Sequence, residues 1–312
     1  MKRILVIRGG AIGDFILTLP VLSALKHRFP AARIDVLGYP RIAALAVAGN
    51  LADEVHPIEA PSLACFFAPG SPLDSNWRAF FSAFDLIVSY AHDPEGVFQE
   101  NILTCSGAPF LRGLHRPEER LNRHAADVLL KALRPLDITV DEAAPRLTLC
   151  SGELPPTYFR EFVQRPTVAI HPGSGSTTKN WPHDCWKQFL RQLAEKSPWQ
   201  LLLVGGEAEE ERLEAIADAL PDDRCLVAQH LPLVQLAYLL QRCRAFLGHD
   251  SGITHLAAAL GLPGLALWGP SNAAVWRPRS RRMSLLHAGN KLQNLSVQEV
   301  WQKWCALALQ LH

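Results

Sequence analysis

Charge imbalance is absent from this 312-residue chain: 31 Lys and Arg face 30 Asp and Glu, a formal net charge of +1. No global field therefore draws it to nucleic acid, and any anionic partner must be met by a local site. No Cys-x-x-Cys pair occurs among its seven scattered cysteines. That odd count suits a reducing compartment better than a disulfide framework or a zinc site, so the cytosol is the expected location. The opening MKRILVIRGG has four apolar residues before Arg8, too few for a signal-peptide core. The longest apolar stretch, residues 256–268, is interrupted by Gly261, Pro263 and Gly264 and falls short of the roughly 20 residues a membrane span needs. The chain reads as soluble, or at most peripheral.

Familiar nucleotide motifs are missing too. Gly9, Gly10 and Gly13 do not fit G-x-G-x-x-G, and Gly38 and Tyr39 stand where an acidic residue would meet a ribose, which argues against a nicotinamide cofactor. Walker A spacing fails after Gly173, because Thr178 occupies the position of its second glycine. No D-x-D triplet is present to clamp a metal, and no metal or other cofactor is expected.

Alternation is abundant. Strand-like runs at residues 4–7, 34–37, 55–58 and 86–89 alternate with helical patterns such as 17–29, the signature of parallel βα units. The pattern pauses at SGELPPTYFREFVQRP and restarts with TVAIHPG, QLLLVGG, RCLVAQ, RAFLGHD and GLALWGP. The expected fold is α/β, with two Rossmann-like parallel-sheet domains facing a cleft. Their limits read as 1–150, a linker over 151–166, 167–295, and a last helix over 296–312 signalled by the Ser296/Glu299 capping-box spacing. Ligands of such sheets sit beyond the carboxyl ends of the strands.

Three stretches lie at such ends. In RGGAIGDFILTLP, Asp14 reads either as a helix cap or as a working carboxylate. In HPGSGSTTKNWP, a flexible backbone, hydroxyls and Lys179 suit a phosphate, or form an exposed turn with an ordinary lysine. In GHDSGITHLAAALG, Asp250, Ser251 and Gly252 turn into a helix whose free N–H groups make an anion site for a diphosphate. His255, within its first turn, either faces that anion or is a buried, satisfied histidine.

These stretches also carry a resemblance. The pattern R-x-x-x-x-G-D-x-x-x-x-x-P from Arg8, K-x-W-P from Lys179, and D-S-G-x-x-H-x-x-A-A-L-G from Asp250 together resemble glycosyltransferase family 9, the ADP-heptose:lipopolysaccharide heptosyltransferases. The resemblance implies a GT-B fold, an ADP-sugar donor held mainly by the carboxyl-terminal domain, an acceptor in the amino-terminal domain, and an inverting reaction. It implies that Asp14 is the general base and Lys179 a donor-phosphate ligand. Asp250, Ser251, Gly252 and His255 would form the donor-binding helix start, with Thr177 and Thr178 as phosphate hydroxyls. Glu207 would contact the nucleoside, Glu209 and Glu210 remaining alternatives. The implied partners are the nucleotide sugar and a glycan or lipid-linked glycan acceptor, met in the cytoplasm or at the cytoplasmic face of the inner membrane. A helix pattern at 119–133 either lines the acceptor site or is a solvated face. Two rival readings are a GT-B-type nucleotide-sugar epimerase, which needs no acceptor, and a non-catalytic sugar-nucleotide-binding protein.

Overall fold

The computed structural model describes residues 1–149, 165–206 and 210–309, and the expected linker lies, but for its last two residues, outside them. The chain divides into two compact units, Met1–Pro145 and Arg146–His312. The first holds β1 (Arg3–Arg8), β2 (Arg33–Gly38), β3 (Glu54–Pro57), β4 (Leu86–Ser89) and β5 (Phe110–Arg112) in the order β3-β2-β1-β4-β5. The second holds β6 (Thr167–His171), β7 (Gln200–Gly205), β8 (Cys225–Gln229), β9 (Ala245–His249), β10 (Gly264–Trp268) and β11 (Met283–His287) in the order β11-β10-β9-β6-β7-β8. All pairings are parallel.

Parallel strands are covered on both faces, which is why they read as apolar runs. Leu5 and Ile7 enter one core with Phe66, Phe81 and Phe98, while their neighbours Ile4 and Val6 are buried on the opposite face. In the second unit Val168, Ile170, Leu201 and Leu203 pack with Trp186, Phe189 and Trp304. Trp304 belongs to the helix Val297–Ala308, which starts as its capping box requires: Ser296 Oγ accepts from Glu299 N at 3.2 Å and Glu299 Oε2 from Ser296 N at 2.8 Å. The helix expected over 17–29 is Leu19–Arg28, and a separate short helix, Ile12–Ile16, precedes it. Pro20 has no N–H to donate and is tolerated in a first turn, so the chain breaks at Leu17 and Thr18 and restarts.

Both strand orders reverse direction from one central pair, β1/β4 in the first unit and β6/β9 in the second. A crevice opens beyond the strand ends at such a reversal, and ligands of doubly wound sheets bind there.

Candidate functional site

Asp14 lies just past the end of β1, at the first reversal. It is the third residue of the Ile12–Ile16 helix, whose N-cap is Ala11. Its Oδ2 accepts from Ala11 N at 3.1 Å, so the carboxylate does cap, though from inside the first turn. Its Oδ1 lies 3.4 Å from Arg8 NH2, and its side chain is 34% exposed. A carboxylate offers about four lone-pair directions, so two contacts leave room for an incoming hydroxyl. Arg8 itself is 3% exposed. It donates to the carbonyls of His115 at 2.9 Å and Asp14 at 3.3 Å, and its guanidinium lies 5.9 Å from the centre of the Tyr90 ring. Burial lowers its pKa, against the opposing pull of Asp14. Tyr90 is anchored by its hydroxyl to Leu129 O at 2.8 Å, and burial raises its pKa.

Of the three early glycines, Gly10 has a backbone requirement: its φ is +99°, and a Cβ there would stand 3.1 Å from the Asp14 side chain. Gly9 could carry a side chain at ordinary contact distances, and Gly13 lies inside the short helix. His92 and His115 bring their rings to 5.0 Å beside this cluster, and burial, Arg8 and His92 lower the His115 pKa.

At the second reversal, the loop leaving β6 meets the turn leaving β9. Lys179 Nζ lies 2.6 Å from Asp250 Oδ2, the lysine 32% and the aspartate 8% exposed. Ser251 caps the Gly252–Ala259 helix, its Oγ accepting from Thr254 N at 3.3 Å. Helix geometry leaves the first N–H groups without intrahelical partners, so Gly252 and Ile253 present backbone donors beside Lys179 and Asp250. His255 is buried on that first turn. Thr177–Lys179 forms a single 3₁₀ turn, in which the Thr178 hydroxyl bonds Ser176 Oγ at 2.9 Å. The Thr177 side chain lies outside the described residues, as do Glu207, Glu209 and the Glu210 side chain.

The residue that sequence reasoning passed over is His249, the last residue of β9, which is fully buried. Its Nε2 faces two donors, Trp181 N at 3.0 Å and Trp186 Nε1 at 3.2 Å, and its Nδ1 faces Gly173 O at 3.3 Å. Only the neutral tautomer with hydrogen on Nδ1 satisfies all three contacts. Burial pushes its pKa down to about 3, assisted by neighbouring His171. A polar residue closing an otherwise apolar buried strand was the available signal, for His249 as for Arg8.

Asp35, Glu54 and His56 place ligand atoms within 4.8 Å of one another in the first unit. Both Asp35 oxygens already meet guanidinium groups, Arg3 NH2 at 2.9 Å and Arg33 Nε at 2.8 Å, and Arg33 also pairs with Glu54. The cluster is a neutralised ion-pair network. No helix among the described residues is long and apolar enough to cross a membrane.

Two tandem Rossmann-like units with polar residues gathered at each strand-order reversal define an α/β protein of GT-B type. The chain belongs to glycosyltransferase family 9 (heptosyltransferase), whose profile matches residues 117–305. It is 30% identical over 149 residues to lipopolysaccharide heptosyltransferase 2 of Escherichia coli K12, an alignment covering 46% of this chain and 42% of that protein. It thus matches under half the length of its first curated relatives. In fold it is similar to a family 9 glycosyl transferase of Veillonella parvula (TM-score 0.79, 18% identity, 99% and 98% of the two chains). It is similar also to E. coli ADP-heptose lps heptosyltransferase II (TM-score 0.78, 22% identity, 99% of each chain).

Proposed function

We propose that the protein is an inverting glycosyltransferase that moves a heptose or related sugar from an ADP-sugar to a lipopolysaccharide-core or other glycan acceptor. The observation that carries the reading is the second unit's reversal point, where Lys179, Asp250 and a Ser251-capped helix start gather in a chain of heptosyltransferase ancestry. In the proposed reaction the acceptor hydroxyl attacks the anomeric carbon and its proton passes to Asp14. The bond from that carbon to the diphosphate breaks on the opposite side, which inverts the centre. Lys179 and the Gly252 and Ile253 amides neutralise the departing ADP, with Thr177, Thr178 and His255 as further donor ligands and Glu207 on the nucleoside. The lysine and the amides take the part that a metal plays elsewhere, so turnover needs no divalent ion. The proposed division of labour is acceptor on the amino-terminal domain and donor on the carboxyl-terminal one. The proposed setting is the cytoplasm, with peripheral membrane contact only where the acceptor is lipid-linked.

Calorimetric titration of ADP in excess chelator, followed by an assay of ADP release from ADP-heptose with and without a lipopolysaccharide-core acceptor, tests this. Binding without metal and acceptor-dependent release are expected. Binding that vanishes with chelator and returns with magnesium sinks the lysine-and-amide account, and release or isomerisation without acceptor favours an epimerase.

A further inference from the structure

His249 touches both ends of the loop that carries the proposed phosphate ligands. Its Nδ1–H donates to the Gly173 carbonyl, where the loop leaves β6, and its Nε2 accepts from the Trp181 amide, where the loop rejoins the core. Between those points run Ser174 to Asn180, including Thr177, Thr178 and Lys179. The same Nε2 accepts from the Trp186 indole, whose ring stands edge-on to the imidazole at a centroid distance of 5.3 Å. The next residue, Asp250, holds the Lys179 ammonium at 2.6 Å.

We propose that His249 is a positioning residue that clasps the residue 173–181 loop shut and thereby sets Lys179 and the loop hydroxyls at the donor-phosphate site. The proposal rests on the donor-site reading above and adds to it a residue that need never touch the donor.

The geometry leaves little else for this imidazole to do. It is fully buried, all its ring nitrogen contacts are satisfied by one tautomer, and that tautomer is neutral, so it adds no charge to a bound diphosphate. The loop has further ties that act with it. Ser174 Oγ bonds Asn180 Oδ1 at 2.8 Å across the loop, and Trp181 Nε1 donates to Leu295 O at 2.9 Å. The opposite wall is tied to the same strand end, because the Thr254 hydroxyl donates to the His249 carbonyl. One residue thus touches the loop with its ring and the helix start with its backbone. Sites held this way depend on supporting side chains, since misplacement by about 1 Å can cost a hundredfold in function.

The test uses the full chain with His249→Leu, His249→Gln and His249→Asn. Three quantities are read for each: ADP affinity by calorimetry, cooperative thermal unfolding, and the rate of tryptic cleavage after Lys179. The parent is expected to resist cleavage there and to bind ADP. His249→Leu should bind ADP about tenfold more weakly and be cut faster at Lys179, since a leucine supplies neither the donor nor the acceptor. Glutamine can put an acceptor where Nε2 stood and asparagine a donor where Nδ1 stood, so each should recover part of both readouts. A cooperatively folded His249→Leu that resists trypsin and binds ADP like the parent overturns the proposal. If that variant does not fold, parental affinity and parental cleavage in both amide variants overturn it instead. A parent that fails to bind ADP refutes the donor-site reading, and the cleavage rates alone then decide whether the clasp exists.

Discussion

Replacing Lys179 with alanine does two things that can be measured apart. It removes the cation offered to the donor diphosphate, and it strips the counter-charge from Asp250, whose side chain is nearly buried. A hydrogen bond to a charged group contributes about 1.5 to 3 kcal/mol, so ADP affinity should fall roughly tenfold to a hundredfold. Asp250 already holds the ammonium at 2.6 Å, so the diphosphate has to share it, which favours the lower end of that range. Breaking a fully buried ion pair costs about 3 to 5 kcal/mol. Lys179 is about one-third exposed, and solvent screening reduces the expected loss to about 1 to 2 kcal/mol. For a unit of this size that lowers Tm by about 2 to 8 °C. The double variant Lys179→Ala/Asp250→Asn separates the effects: removing the stranded carboxylate should restore most of Tm, but only the part of the ADP affinity that was lost to its repulsion of the diphosphate. Calorimetry for binding and scanning calorimetry for Tm suffice. Parental ADP affinity in Lys179→Ala would refute the reasoning, because the ammonium would then contribute nothing to holding the diphosphate.

Asp14→Asn should leave ADP affinity unchanged while slowing sugar transfer about a hundredfold to ten-thousandfold, and transfer at near-parental rate would make Asp14 a cap only. At an N-cap this change would cost nothing, but here an amide cannot accept from both Ala11 N and Arg8, so a loss of about 1 kcal/mol is expected in thermal unfolding. Asp35 makes a separate prediction: burial would raise its pKa, and hydrogen bonds from His56, Arg33 and Arg3 outweigh that and bring it from 3.8 to about 2. Its contribution, about 2 kcal/mol, is therefore complete above pH 4 and lost as pH falls toward 2. Thermal unfolding from pH 6 to 2 should show an acid limb that Asp35→Asn flattens, and parallel profiles for parent and variant would contradict the assignment.

Local chemistry made much of this molecule legible. A buried parallel strand has to be apolar on both faces, so β1, β4 and β7 stand out as LVI-rich runs, and the Ser296/Glu299 pair marks the last helix because its reciprocal bonds span three residues. Pro20 was equally visible, yet its consequence, a break before the Leu19–Arg28 helix, emerged only with the backbone. Candidate site residues stood out because each lies in the segment that follows an apolar run, where a chain leaving a sheet must turn, as Asp14, Lys179 and Asp250 do after β1, β6 and β9. Their partners could not. Lys179 and Asp250 are 71 residues apart, His249 and Gly173 76, and Arg8 and the His115 carbonyl 107. Strand order brings those pairs together: β6 lies beside β9, and the segment leaving β5 lies across β4 from the end of β1, only because each sheet reverses direction there. Periodicity along a chain carries burial and turning, which are properties of neighbours in sequence. Which loops share a strand-order reversal, and hence which charge meets which, depends on long-range pairing that no local pattern encodes.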